Sequence, residues 1–366
     1  GHNTRIFGEV RQYPFQLLDV DDAHTNLSLP MPRLTRTRGL LKQKSHRFHH
    51  PAQSTNVRNV SANPNSGEIE LVDDSGVWRA KISPQGAALL ELSFKGSQLA
   101  SSPSTSHFNA FAGKTLAPWP NRLAGGTWSL GDAQFQAPIN EPARNTALHG
   151  LVFDRKFEVV GQTTSEVSLS TRLGSDACYP FAVEVTVVYS LTDAGLHVRF
   201  EAANQDPGSQ AVPFGIGSHP YFDVEPDSTL SLPALSTWLT DVNLIPTDLA
   251  PASECGVEAF QPVPVNQLAL DHCFADLNTE SDQLVRSRLT RPKLHGSTVI
   301  WQEPAFKHLM VFTLFGKFTG RDHAPIAIEP QTCPANAFQT GDDLIWLSAG
   351  ERWSASWGVE FEEDLP

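Results

Sequence analysis

Alternation of apolar and polar residues at every second position constrains this chain more than any other feature. The run GLHVRFEAAN (195–204) sets Leu196, Val198 and Phe200 against His197, Arg199 and Glu201. VEVTVVYSL (183–191) puts Val183, Val185 and Val187 on one face, and WSASWGVEF (353–361) does the same with Trp353, Ala355, Trp357, Val359 and Phe361. Successive side chains point to opposite faces of a strand, so a period of two marks strands with one buried face. STVIWQ, HLMVFTLF and PIAIEP read as buried strands, and AGG, DAG, DPGS and SAGE punctuate the series as turns. No helical period persists for three turns, and no repeat of fixed length is present. The expected fold class is all-β: a large, mostly antiparallel β-sandwich in a single domain.

Composition agrees. The 366 residues are 40% hydrophobic, enough for a sizeable core, and 25 Gly with 27 Pro suit many short strands. A net charge of −13 argues against nucleic acid or an anionic membrane as partner. No apolar run approaches the length of a membrane-spanning helix, and no basic-then-apolar leader opens the sequence, so a cytoplasmic location is expected. Cys178, Cys255, Cys273 and Cys333 are widely spaced with no C-x-x-C pair, which disfavours zinc ribbons and small disulfide frameworks. Residues 1–66 differ, with nine Lys+Arg against four Asp+Glu. They read as a partly ordered basic extension preceding a domain over 67–366, and the clustered His46, His49 and His50 there lack the Cys or carboxylate partners of a metal site.

Five stretches carry candidate chemistry. In PWPNRLAGGTW, Asn121 and Arg122 sit between two turns, where an arginine either presents its fork of donors or is an ordinary hairpin residue. In NTALHG, His149 precedes Gly150, which permits close approach of backbone or ligand. FGIGSHPYF (214–222) thins out through Gly215, Gly217 and Ser218, presents His219, and stiffens at Pro220. In LALDHCF, Asp271 is a turn residue or a binding carboxylate, with His272 pointing the other way. In APIAIEPQT, Glu329 ends an apolar run before Pro330, and a carboxylate there is costly unless paired or functional. His197 and His308 fall within strand patterns and read as structural. G-x-S-x-G, P-loop, H-E-x-x-H and Rossmann signatures are missing, and His149 and His219 are too isolated for a cupin-like metal site.

Together these stretches resemble the aldose 1-epimerase (galactose mutarotase) family. The similar elements are PWPNRLAGGTW, NTALHG, YPF followed by VVYSLTDAGL, GIGSHPYF, LDHCF, AIEPQT and SAGERWSASWGVEF, in the family's order over roughly residues 68–362. The resemblance implies a β-supersandwich that interconverts the α and β anomers of free aldoses without a cofactor or a metal. It implies Glu329 as catalytic base, His219 as catalytic acid, and Asn121, Arg122, His149 and Asp271 as binders of sugar hydroxyls. Many members carry Gln roughly where this chain has Met310, a difference that bears on substrate preference. The implied partner is a small sugar, with the protein a monomer or weak homodimer. Two rivals stand beside it: an epimerase of a hexose 6-phosphate, which needs extra cations at the rim, and a non-catalytic carbohydrate-binding protein on the same fold.

Anomer exchange needs one group to take the proton from the C1 hydroxyl and another to protonate the ring oxygen. With ordinary pKa values of about 4.3 and 6.5, Glu and His are expected to coexist as carboxylate and imidazolium, the carboxylate raising the histidine. Gly215, Gly217 and Ser218 are expected to leave room for the sugar, and the two prolines to fix the backbone beyond His219 and Glu329.

Overall fold

The computed structural model describes residues 67–101, 110–208, 210–313 and 324–364; the basic segment 1–66, with its three clustered histidines, lies outside the described residues. The alternating sequences form strands, and neighbouring strands pair antiparallel. Val183–Thr192 pairs with Gly195–Asn204, which pairs with Arg352–Glu363, which pairs in turn with Gly296–Gln302. These belong to a nine-stranded sheet. Its register sets Val187 opposite Phe200 and Val198 opposite Trp357. Val183, Val185, Val187, Leu196, Val198, Phe200, Ala355, Trp357 and Val359 are all buried, whereas Arg199 faces water. Each large side chain buried this way contributes roughly 1.5–3 kcal/mol.

The other large sheet has twelve strands among the described residues. From Ile69–Val72 at one edge its path runs through Tyr221–Val224, Ala324–Gln331, His308–Thr313, Asp271–Leu277 and Ala234–Thr240 to Pro246–Pro251. Alternation splits its central strands cleanly. Leu309, Val311, Phe274, Ile326 and Ile328 join the main core with the nine-stranded sheet's residues. Ala327, Glu329, Met310 and Cys273 therefore look out from the opposite face, and that face carries the chemistry. Helical structure is slight among the described residues: Ala337–Thr340 and four short 3-10 turns. All four cysteines are unpaired. None of the described helices is long and apolar enough to cross a membrane.

The two sheets are also joined by a buried ion pair. Arg291, ending Val285–Arg291, donates Nε and Nη2 to the Glu225 carboxylate at 3.0 and 2.8 Å, and Nη1 to the Gln98 carbonyl at 2.7 Å. Glu225 is held below the usual carboxylate range, the arginine outweighing its burial. Lysine keeps the charge but cannot reproduce the fork. Arg291→Lys should cost about 2 kcal/mol, read as a lower urea midpoint with an unchanged slope.

Candidate active site

Four strand segments of the twelve-stranded sheet and one separate two-stranded ladder converge to build the site. Met310 of His308–Thr313 lies directly opposite Glu329 of Ala324–Gln331, and Cys273 opposite Met310. One pleat away, Tyr221 lies opposite Ala327, Ala327 opposite Phe312, and Phe312 opposite Asp271. Partners in a ladder share a face, so one surface carries Glu329, Met310, Cys273, Tyr221, Phe312 and Asp271.

Pro330 does not end its strand, as the sequence led us to expect; the strand runs on through Gln331. The reason lies next door. The neighbouring strand is interrupted between Gly217–Ser218 and Tyr221–Val224, and Ile328 N–H reaches the Pro220 carbonyl across the gap at 3.4 Å. The N–H that Pro330 lacks would point toward the same interruption, where the ladder needs no donor. His219 occupies the interruption. Its N–H donates to the Lys114 carbonyl at 3.0 Å and its carbonyl accepts from Gly113 N–H at 2.8 Å, so its backbone is tied on both sides. Its ring stacks on Tyr221, with centroids 5.0 Å apart, and meets His149 edge-on at 5.3 Å.

The glycines before His219 do something other than make room for a ligand. A Cβ on Gly215 would lie 2.6 Å from Cys333 Sγ, and one on Gly217 would lie 2.9 Å from the Pro330 carbonyl and 3.0 Å from Gln331 Cγ. They let the His219 segment press against Ala324–Gln331 and its continuation. Ser218 is fully buried there too.

The result of that close packing is a pair. His219 Nε2 stands 3.3 Å from Glu329 Oε1, with His219 7% and Glu329 2% exposed. The other carboxylate oxygen, Oε2, accepts from Gln331 Nε2 at 3.0 Å. Burial drives both groups toward neutrality. The Glu329 carboxyl is pushed well above its ordinary range by burial and by the nearby Asp271 charge, against the pull of Gln331 and Arg122. His219 is pushed down to about 4, again mainly by burial. The expected carboxylate-raised imidazolium is therefore corrected: removal of water outweighs mutual attraction. Neutral acid with neutral imidazole and carboxylate with imidazolium nonetheless hold the same number of protons, so one proton transfer interconverts them.

His149 and Asn121 hold each other. Both sit in the left-handed region, at φ +66° and +59°. His149 N–H donates to the Asn121 carbonyl at 2.8 Å, and Asn121 N–H donates to His149 Nδ1 at 3.1 Å. With Nδ1 accepting, the ring proton lies on Nε2, leaving a fixed donor. Burial first, then the charges of His219 and Arg122, hold His149 well below its ordinary value and hence neutral. Phe111 packs on it with centroids 4.6 Å apart. Gly150 follows at φ +73°, and a Cβ there would sit 2.2 Å from the Ala117 carbonyl, so it serves backbone approach.

Arg122 is not a free fork. Its Nε and Nη2 donate to the Glu141 carboxylate at 2.8 and 3.1 Å, while Nη1 lies 3.4 Å from Asn121 Oδ1. Glu141 also accepts from Arg144 at 2.8 Å and Thr146 Oγ1 at 2.6 Å. Sequence reasoning missed Glu141, which comes close through the pairing of Arg122–Ala124 with Thr146–Leu148. It also missed Gln331, although a strand continued through Pro330 would have put that side chain on the Glu329 face. Asp271 opens its strand half-buried, its N–H donating to His272 Nδ1 at 3.1 Å. His308 sits deeper, with Nε2 2.9 Å from Asp343 Oδ2.

A family model for aldose 1-epimerase matches residues 68–359. The chain belongs to the aldose 1-epimerase family. It is 33% identical over 282 residues to the uncharacterized protein YihR of Escherichia coli (strain K12), covering 76% of this chain and 88% of YihR. Its fold is that of a GalM/aldose epimerase homologue from C. elegans, with TM-score 0.69 and 21% identity, covering 82% of this chain and 100% of that one. A galactose 1-epimerase from Lactobacillus acidophilus NCFM aligns with TM-score 0.66 and 18% identity over 81% of this chain and 95% of that one. Among aldose 1-epimerases, then, this chain has the large antiparallel sheets expected from its period-two sequence.

Proposed function

We propose that this chain is a mutarotase that interconverts the α and β anomers of a free hexose. The observation that carries the reading is the buried His219–Glu329 pair, 3.3 Å apart. Glu329 is the base that takes the C1 hydroxyl proton, and His219 is the acid that protonates the ring oxygen. The C1–C2 bond then rotates and the roles reverse on closure. A hydroxyl entering between the two polarises the pair toward carboxylate and imidazolium without any proton from solvent. The neutral His149 Nε2–H, the Asn121 side chain, Arg122 Nη1 and the Asp271 carboxylate supply donors and an acceptor for the remaining hydroxyls. Met310, opposite Glu329, gives the sugar an apolar neighbour instead of an amide.

A phosphorylated substrate would call for a cation free to meet the phosphate, and Arg122 is already held by Glu141. The same clamp predicts a specific phenotype. Glu141→Gln should loosen Arg122 and raise KM several-fold, up to about 10-fold, with kcat within a factor of three, because the lost contact binds ground and transition states alike. Exchange spectroscopy by proton NMR on equilibrated aldoses tests the function itself. Anomer exchange of one or more free hexoses faster than in buffer is expected. Exchange of hexose 6-phosphates alone would replace this reading with the phosphorylated one, and saturable binding without exchange would make the chain a binding protein.

A further inference from the structure

We infer that Gln331 is a positioning residue whose side-chain amide holds the Glu329 carboxylate so that Oε1 faces His219. The inference rests on the assignment of Glu329 as the base. Gln331 lies two residues beyond Glu329 on one strand, hence on the same face. It is fully buried, and its Nε2 donates to Glu329 Oε2 at 3.0 Å. With Oε2 engaged, the carboxylate has one oxygen left, and that oxygen is the one 3.3 Å from His219 Nε2.

Gln331 is itself fixed from both sides. Gly217 pairs with it on one flank and His308 on the other. The missing side chain at Gly217 opens the path its Cγ takes, since a Cβ there would come within 3.0 Å. His308 is anchored in turn by Asp343. Packing alone does not account for an amide here. Gln331 Oε1 is buried with no hydrogen-bond partner among the described residues, whereas methionine would fill much the same space and leave no polar atom unsatisfied. The amide N–H is the part that does something, and it does it to the carboxylate: a hydrogen bond to the charged form favours that form. In the singly protonated pair, every loss of that preference lowers the share held as carboxylate and imidazolium, the arrangement that reacts.

The test compares wild type with Gln331→Met and Gln331→Glu. The Glu329 carboxyl is titrated by carbon NMR in protein labelled at the glutamate Cδ, its signal assigned by loss in Glu329→Gln. Gln331→Met is expected to move that titration upward by about one unit, a tenfold change in the equilibrium. Gln331→Glu keeps the shape and adds a second carboxyl, so it should move it further; it also carries the test if the methionine variant does not fold. Kinetically, Gln331→Met should lower kcat about 10-fold near neutrality with KM nearly unchanged. The deficit should shrink at pH above the Glu329 titration, which a general loosening of the core would not produce. An unmoved Glu329 titration in the folded variants overturns the inference. The titration needs no turnover, so absence of anomer exchange by the wild type would overturn the functional reading and leave this result to be read separately.

Discussion

Glu329→Gln should abolish most anomer exchange, lowering kcat by on the order of 10³ while KM changes little. Glutamine has the same shape and can still lie 3.3 Å from the His219 ring, but it cannot take a proton. The stability of the same variant separates this from damage to the fold. Burial holds the Glu329 carboxyl well above its ordinary value, so the folded state favours the protonated form. The stabilisation that this supplies is present at pH below the ordinary glutamate value and lost as pH rises through the raised one. Glutamine carries no such loss. The variant should therefore be as stable as wild type at pH 4 and more stable at pH 8, as read from urea midpoints. Loss of activity together with loss of stability at both pH values would make Glu329 a packing residue instead.

His219→Asn should cost a similar factor, on the order of 10²–10³ in kcat, because ring-oxygen protonation loses its donor. Its stability should show the opposite pH dependence. The folded His219 titrates at about 4 against an ordinary 6.5, owing to burial. A depressed histidine contributes stability that is complete above the unfolded value and is lost as pH falls through the folded one. Between pH 7 and pH 4 wild type should lose about 3 kcal/mol relative to His219→Asn. Parallel pH profiles for the two proteins would show that His219 is not held neutral by burial.

The strands were legible because one-sided burial writes itself as period two: Leu196, Val198 and Phe200 are buried while Arg199 is not. The candidate site was legible as polar residues interrupting apolar strands, and the chain brings His149, His219 and Glu329 together while setting Asp271 on the same sheet face as Glu329. What was not legible depends on contacts between segments. Glu141 reaches Arg122 beside a two-stranded ladder between segments over twenty residues apart, which no local pattern announces. Gln331 was hidden behind Pro330, because a proline ordinarily stops a central strand, and only the break at His219–Pro220 on the neighbouring strand makes it harmless there. Gly215 and Gly217 suggested space for a ligand, yet their bare backbone serves strand contact. The direction of the His219 titration was misjudged for the same reason. A neighbouring carboxylate is visible in sequence; the depth of burial that outweighs it is a property of the whole fold.

The central claim is that the His219–Glu329 pair opens and closes a free sugar ring. Polarimetry of freshly dissolved α-D-glucose and α-D-galactose tests it most directly. The account predicts that wild type speeds the drift to the equilibrium rotation for at least one of them, in proportion to enzyme concentration, and that Glu329→Gln returns the rate to that of buffer. Equal acceleration by wild type and Glu329→Gln would contradict it.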